Sequence, residues 1–167
     1  MSKSGLFRWS TVAACLVLAG CGIPRPSDSP LVIAPENLPE LVCQAPSAGQ
    51  PLTGVWYVVR KQPGVAGEVQ TLLTLSPDGK MRQQIRVKQG RNVRSELRET
   101  GCWDAPQGKL VLRIGRSNGE KIDYRESMYT LTYLIERVDN RRVVFREDKP
   151  DSRPITGQRV QDSFRLM

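Results

Sequence analysis

Between Leu52 and Glu147 the chain is written in a period of two, and that confines it to β-structure. Short runs of alternating apolar and polar residues are separated by turn signals, with no sustained helical period. The runs are Leu52–Arg60 (LTGVWYVVR), Val69–Leu75 (VQTLLTL), Met81–Gln89 (MRQQIRVKQ), Val93–Trp103, Lys109–Ile114 (KLVLRI), Lys121–Arg125, Tyr129–Val138 (YTLTYLIERV) and Arg142–Glu147 (RVVFRE). In SPDGK, Pro77 suits the second position of a type I turn and Gly79 the left-handed position after it. Eight runs joined by short turns make an antiparallel meander. Such a meander closes most naturally into a small antiparallel up-and-down β-barrel of about eight strands, which leaves no free edge. The expected fold class is all-β.

Strand parity assigns faces. On Met81–Gln89, Arg82, Arg86 and Lys88 share one side and Met81, Ile85 and Val87 the other. On the next run Val93 and Leu97 are expected to look inward, and Arg94, Glu96 and Arg98 outward. The two sets match only if the turn holds an odd number of residues. A three-residue loop of Gly90, Arg91 and Asn92 satisfies this and sets Arg86 across from Glu96. The same parity turns Cys102 outward and Trp103 inward.

The chain opens MSKSGLFRWSTVAACLVLAGCG: Lys3 and Arg8 precede a short apolar run, then Leu18-Ala19-Gly20 leads into Cys21. The run is too short to settle across ~30 Å of hydrocarbon, which needs about 20 apolar residues. It reads as a secretory signal. Leu18-Ala19-Gly20-Cys21 resembles the lipobox of bacterial lipoproteins. The resemblance implies cleavage before Cys21, acylation of that cysteine (palmitate among its chains) and membrane attachment through the lipid. Gly22 stands where an Asp favours inner-membrane retention in enteric bacteria, so the resemblance implies the outer membrane, facing the periplasm or the cell surface. The expected organisation is a signal over 1–20, a lipidated tether and strap over 21–51, the barrel over 52–147 and a C-terminal tail over 148–167. GIPRPSDSP (22–30) reads as an extended tether. In LVIAPENLPELV (31–42), seven of twelve residues are Leu, Val, Ile or Ala, broken by Pro35 and Pro39. That stretch either lies as a strap over the domain or continues the linker.

The lipobox sorts the four cysteines. Cys15 leaves with the signal and Cys21 takes the lipid, while Cys43 and Cys102 remain in an oxidising compartment, where paired cysteines form disulfides. The chain has no histidine, so a zinc site would lack ligands and a cysteine nucleophile its usual base. A Cys43–Cys102 disulfide, rather than two free thiols, is therefore expected. It would staple the strap to the outside of the barrel, where Val55, Tyr57 and Val59 form an apolar outer face in need of a cover.

Thr53-Gly54-Val55-Trp56 and Thr100-Gly101-Cys102-Trp103 repeat one pattern. Gly54-x-Trp56 on the first strand, the Pro77-Asp78-Gly79 hairpin and Gly101-x-Trp103 before LVLRI resemble the lipocalin-like family, over about residues 50–147. The resemblance implies that Gly54 and Trp56 close the barrel floor and that an arginine from a late strand, Arg146 or Arg159, packs over the tryptophan.

Catalytic signals are weak, and no catalytic residue, metal site or cofactor is expected. Glu96 and Glu99 differ in parity, Glu120, Asp123 and Glu126 cluster only in a polar loop, and neither a phosphate-binding glycine loop nor a calcium loop occurs. Removing residues 1–20 takes Lys3 and Arg8 and no acid, which leaves 23 basic against 17 acidic side chains, a net of +6. An exported chain meets little nucleic acid, so none is expected as a partner. Arg82, Arg86, Lys88, Arg91, Arg94 and Arg98 crowd one hairpin. The stripe they form suits lipopolysaccharide phosphates, other anionic lipid or an acidic protein surface; the plainer reading is a solvated face. The expected function is non-catalytic: a barrel that binds a ligand or serves the envelope structurally. The alternative is a protein-interaction module, either an envelope assembly accessory or an inhibitor of a periplasmic hydrolase. An open interior would favour a small ligand and a filled one a protein or envelope partner.

Overall fold

The structure is a computed structural model and describes residues 37–46 and 51–166. Its strands are β1 (Gly54–Arg60), β2 (Glu68–Leu75), β3 (Lys80–Gln89), β4 (Asn92–Asp104), β5 (Lys109–Ser117), β6 (Glu120–Lys121), β7 (Thr130–Val138), β8 (Arg142–Glu147) and β9 (Ile155–Val160). All pairings are antiparallel. Each barrel strand lies beside its neighbour in sequence, and β9 returns to pair with β1, so eight strands close an up-and-down barrel. The two-residue β6 hangs from β5. Among the described residues helix is limited to short 3₁₀ turns such as Pro106–Gly108 and Ser127–Tyr129.

The closing strand is not the one expected. Lys121–Arg125 does not form a barrel strand: the chain turns at Asn118-Gly119, pairs for two residues, then leaves the sheet. Asp123 there accepts hydrogen bonds from the Arg125 amide and guanidinium, the local side-chain turn that competes with strand pairing. The eighth barrel strand is Ile155–Val160, from the stretch expected to be a tail, so the barrel runs from Gly54 to Val160. Without it, β8 and β1 would each present a row of unpaired backbone groups; one strand between them satisfies both.

The β3–β4 hairpin reaches the expected register by another route. Its turn holds two residues, Gly90 and Arg91, with Gln89 opposite Asn92. A bulge then shifts the ladder between Val87 and Lys88, which restores Arg86 opposite Glu96 and Ile85 opposite Leu97. Two turn residues plus one bulged residue give the same offset as three turn residues. The price of the detour falls on Val93, which lies opposite Lys88 and is 47% exposed instead of facing inward.

Inward side chains fill the barrel unevenly. At the end where β1 begins, Leu52, Trp56, Leu75, Met81, Trp103 and Leu110 are fully buried in one cluster. Each such side chain contributes roughly 1.5–3 kcal/mol by leaving water. Toward the other end the inward positions Thr71, Ile85, Leu97, Glu99, Leu131 and Tyr133 are only half-buried.

Two segments cover the outer wall. Residues 39–46 cross β4 and β5, and residues 161–166 cross β1 to β3. The apolar outer face of β1 is therefore covered from the C-terminal side, not by the strap: Phe164 packs on Tyr57 with ring centroids 5.0 Å apart, and Leu166 is 6% exposed. Val55 is buried, while Val59 stays 43% exposed.

Candidate functional site

At the barrel floor, both Thr-Gly-x-Trp tryptophans meet. The Trp56 indole donates to the Leu52 carbonyl at 2.6 Å, and the Trp103 indole donates to the Ser76 carbonyl at 2.8 Å. Buried indole N–H groups need such partners, and each bond pins a connecting segment to the floor. Of the two candidate arginines, Arg159 packs over Trp56, its guanidinium carbon 4.2 Å from the ring centroid. It lies opposite Trp56 in the β1–β9 ladder and donates to the carbonyls of Thr53 and Pro51 at 2.5 and 2.6 Å. Gly54 has a φ of +133°, and a Cβ there would collide with the Arg159 guanidinium. Only glycine meets both demands. Arg146 pairs with Glu136 instead.

On the outer wall, Cys43 and Cys102 form the expected disulfide, with Cα atoms 5.2 Å apart. The strap has two further fastenings. Leu41 lies over Gly115, where a Cβ would press on its side chain at 3.2–3.3 Å. Glu40 reaches Lys121 at 3.0 Å and Arg116 at 3.7 Å, and Lys121 foremost holds its carboxyl below the ordinary carboxylate value. Between strap and wall runs a groove of about 640 Å³, lined among others by Leu41, Val42, Arg82, Thr100, Arg116 and Lys121. Sequence reasoning missed Glu40, Arg116 and Lys121, because cross-strand adjacency and the strap's path are not local properties.

The basic hairpin separates into engaged and available cations. Arg86, 19% exposed at its side chain, donates to Glu96 at 2.6 Å and to the Leu166 carbonyl at 2.5 Å. Arg98 takes the other Glu96 oxygen, also at 2.6 Å. Hydrogen bonds from Arg86 first, then from Gln84 and Arg98, hold the Glu96 carboxyl below its ordinary value. Lys88 lies opposite Glu68, and Arg94 donates to Gln89. Among the described residues Arg82, Arg91 and Arg94 have no carboxylate partner. Of the six, only Arg82 lies in the groove beneath the strap.

The less filled end of the interior carries polar side chains. Parity puts Glu99 inside and Glu96 outside, as expected, and Gln83, only 4% exposed, donates to Glu99. Arg60 shares the inward face of β1 with Trp56 and Val58 and approaches Glu147 to 3.4 Å. Burial pushes the Tyr133 phenol up, and Tyr133 meets Phe145 edge-on with centroids 5.0 Å apart. Gln83 with Glu99 and Arg60 with Glu147 thus form two separate polar pairs at this end. Among the described residues no group of three or more Asp, Glu or Cys is placed to hold a metal ion. Cys21 lies outside the described residues. No protein-family model matches the chain, and no curated protein matches it either.

Proposed function

We propose that the protein is an outer-membrane-anchored lipoprotein whose lipocalin-like barrel has a non-catalytic binding or structural role in the envelope. The Cys43–Cys102 disulfide carries this reading. Such bonds persist in oxidising compartments, and this one joins the domain to the segment that leads back to Cys21. The filled floor half of the barrel adds a second consideration. With Trp56, Trp103 and their neighbours occupying that half, the surfaces left for a partner are the other mouth and the outer walls. That favours a protein or envelope partner over a small molecule enclosed in the barrel. The stripe of Arg82, Arg91 and Arg94 suits an anionic surface close to such an anchor.

The anchor is tested by labelling cells with a fatty-acid probe and measuring the intact mass. The expected result is a labelled chain that begins at Cys21 and fractionates with the outer membrane. Cys21→Ala is expected to give an unlabelled, uncleaved precursor. A wild-type chain that matures without lipid overturns the reading.

A further inference from the structure

The ladders of β2 to β6 bring outward side chains into one row that no single segment reveals. Thr74 lies opposite Arg82, Arg82 opposite Thr100, Thr100 opposite Arg116, and Arg116 opposite Lys121. Side chains directly opposite in a sheet stand about 5 Å apart at Cβ. Arg82 and Arg116 thus flank a threonine hydroxyl, with Lys121 one strand further. The row forms the wall of the 640 Å³ groove, and the strap forms its other side.

We propose that this groove binds a phosphate-bearing anion, held by Arg82 and Arg116 across Thr100 and by Lys121, in the place that Glu40 partly fills. Three observations favour it. Arginine forks match the oxygens of a phosphate, and two forks with one strand between them can reach one phosphate from both sides. The row carries three cations, and the one carboxylate on it among the described residues, Glu40, reaches only Arg116 and Lys121. Glu40 comes from the strap, not from the wall, so an incoming anion can displace it without disturbing the barrel. Beside the cations, Pro39, Leu41 and the largely exposed Val42 supply an apolar border. The shared chemistry is a phosphate group, free or as the monoester of a lipid. The site does not rest on the lipid anchor: it requires only the stapled strap and the wall.

The test uses the full chain in neutral detergent. Its probes are inorganic phosphate, dihexanoyl phosphatidic acid and, as a zwitterionic control, dihexanoyl phosphatidylcholine. Binding is read by calorimetry and by the guanidinium NMR signals of Arg82 and Arg116. Saturable binding is expected for one or both anionic probes, with little for the control. Loss of one charge-assisted fork by Arg82→Gln or Arg116→Gln should weaken it by about tenfold or more. Arg82→Lys, which keeps the charge but not the fork, should also weaken it. Glu40→Gln, which removes the competing carboxylate, should tighten it, and Arg137→Gln on β7, outside both the groove and the basic hairpin, should leave it unchanged. Binding of inorganic phosphate as tight as that of the lipid identifies a free phosphate; binding of phosphatidic acid alone identifies a headgroup. The proposal is overturned if neither anion saturates. It also falls if Arg137→Gln weakens binding as much as Arg82→Gln, or if Glu40→Gln has no effect. Thermal melting of each variant separates lost binding from lost fold, and none of these outcomes depends on acylation.

Discussion

The barrel wears two covers, and they are fastened by different physics. The C-terminal segment lies on β1 to β3 by packing: Phe164 on Tyr57, Leu166 buried, and Arg86 bonded to the Leu166 carbonyl. The N-terminal strap lies on β4 and β5 by one covalent bond, one leucine over a glycine and a pair of surface ion pairs. Packing removes apolar surface from water and is lost only when the segment peels away. A covalent staple holds one point, and with only Leu41 and Glu40 as further fastenings a groove stays between strap and wall. The first arrangement completes a core; the second keeps a space open while fixing its border.

Breaking the staple is expected to have the largest effect. Cys43→Ser with Cys102→Ser should fold but lose about 2–4 kcal/mol in denaturant melts, since the bond closes a long loop. Arg86→Gln comes next: it removes a charged donor shared by Glu96 and the Leu166 carbonyl and should cost about 1.5 kcal/mol. Proteolysis or hydrogen exchange should show the 161–166 segment loosened and the strap unaffected. Phe164→Ala uncovers one side of Tyr57 and should cost about 1 kcal/mol, with the Tyr57 ring signal shifted. An unchanged melt in either variant would mean that the C-terminal cover is not held by packing.

The smallest expected effect distinguishes the covers by pH. Lys121, and after it Arg116, holds the Glu40 carboxyl below its ordinary value. A carboxylate with a depressed folded pKa contributes stability above its ordinary value and loses it as pH falls through the lowered one. Acidification through that range should raise hydrogen exchange in residues 39–42. The Leu166 carbonyl that Arg86 reaches is not a carboxylate, so residues 164–166 should respond less. High salt should mimic acid at the strap, because both Glu40 partners are surface groups.

Much of this fold is legible in the chain because β-alternation is local. Successive Cβ atoms point to opposite faces whatever the neighbour strand does. Parity alone therefore puts Cys102 outside and Trp103 inside, and separates Glu99 from Glu96. The same rule, applied to LTGVWYVVR, also aims Arg60 inward with Trp56 and Val58, a signal present but unused. Bulges interrupt the rule. The irregularity between Val87 and Lys88 turns Val93 outward, and nothing in the side chains of that hairpin marks where the extra residue is inserted.

What the sequence by itself determined is thus most of the faces, where most of the hairpins turn and the two cysteines free to pair. Closure was decided elsewhere. Ile155–Val160, ITGQRV, has little apolar alternation, with a glycine at its third position. It becomes a strand because β8 and β1 leave two rows of backbone groups that one segment can satisfy together. That pairing sets Arg159 opposite Trp56 and selects it over Arg146. It is also tertiary structure that lines up Arg82, Thr100, Arg116 and Lys121 from four strands and lays Glu40 across them. The order of residues along a strand is a local matter, but which residues stand side by side across a sheet depends on register, and register is settled only when the whole barrel closes.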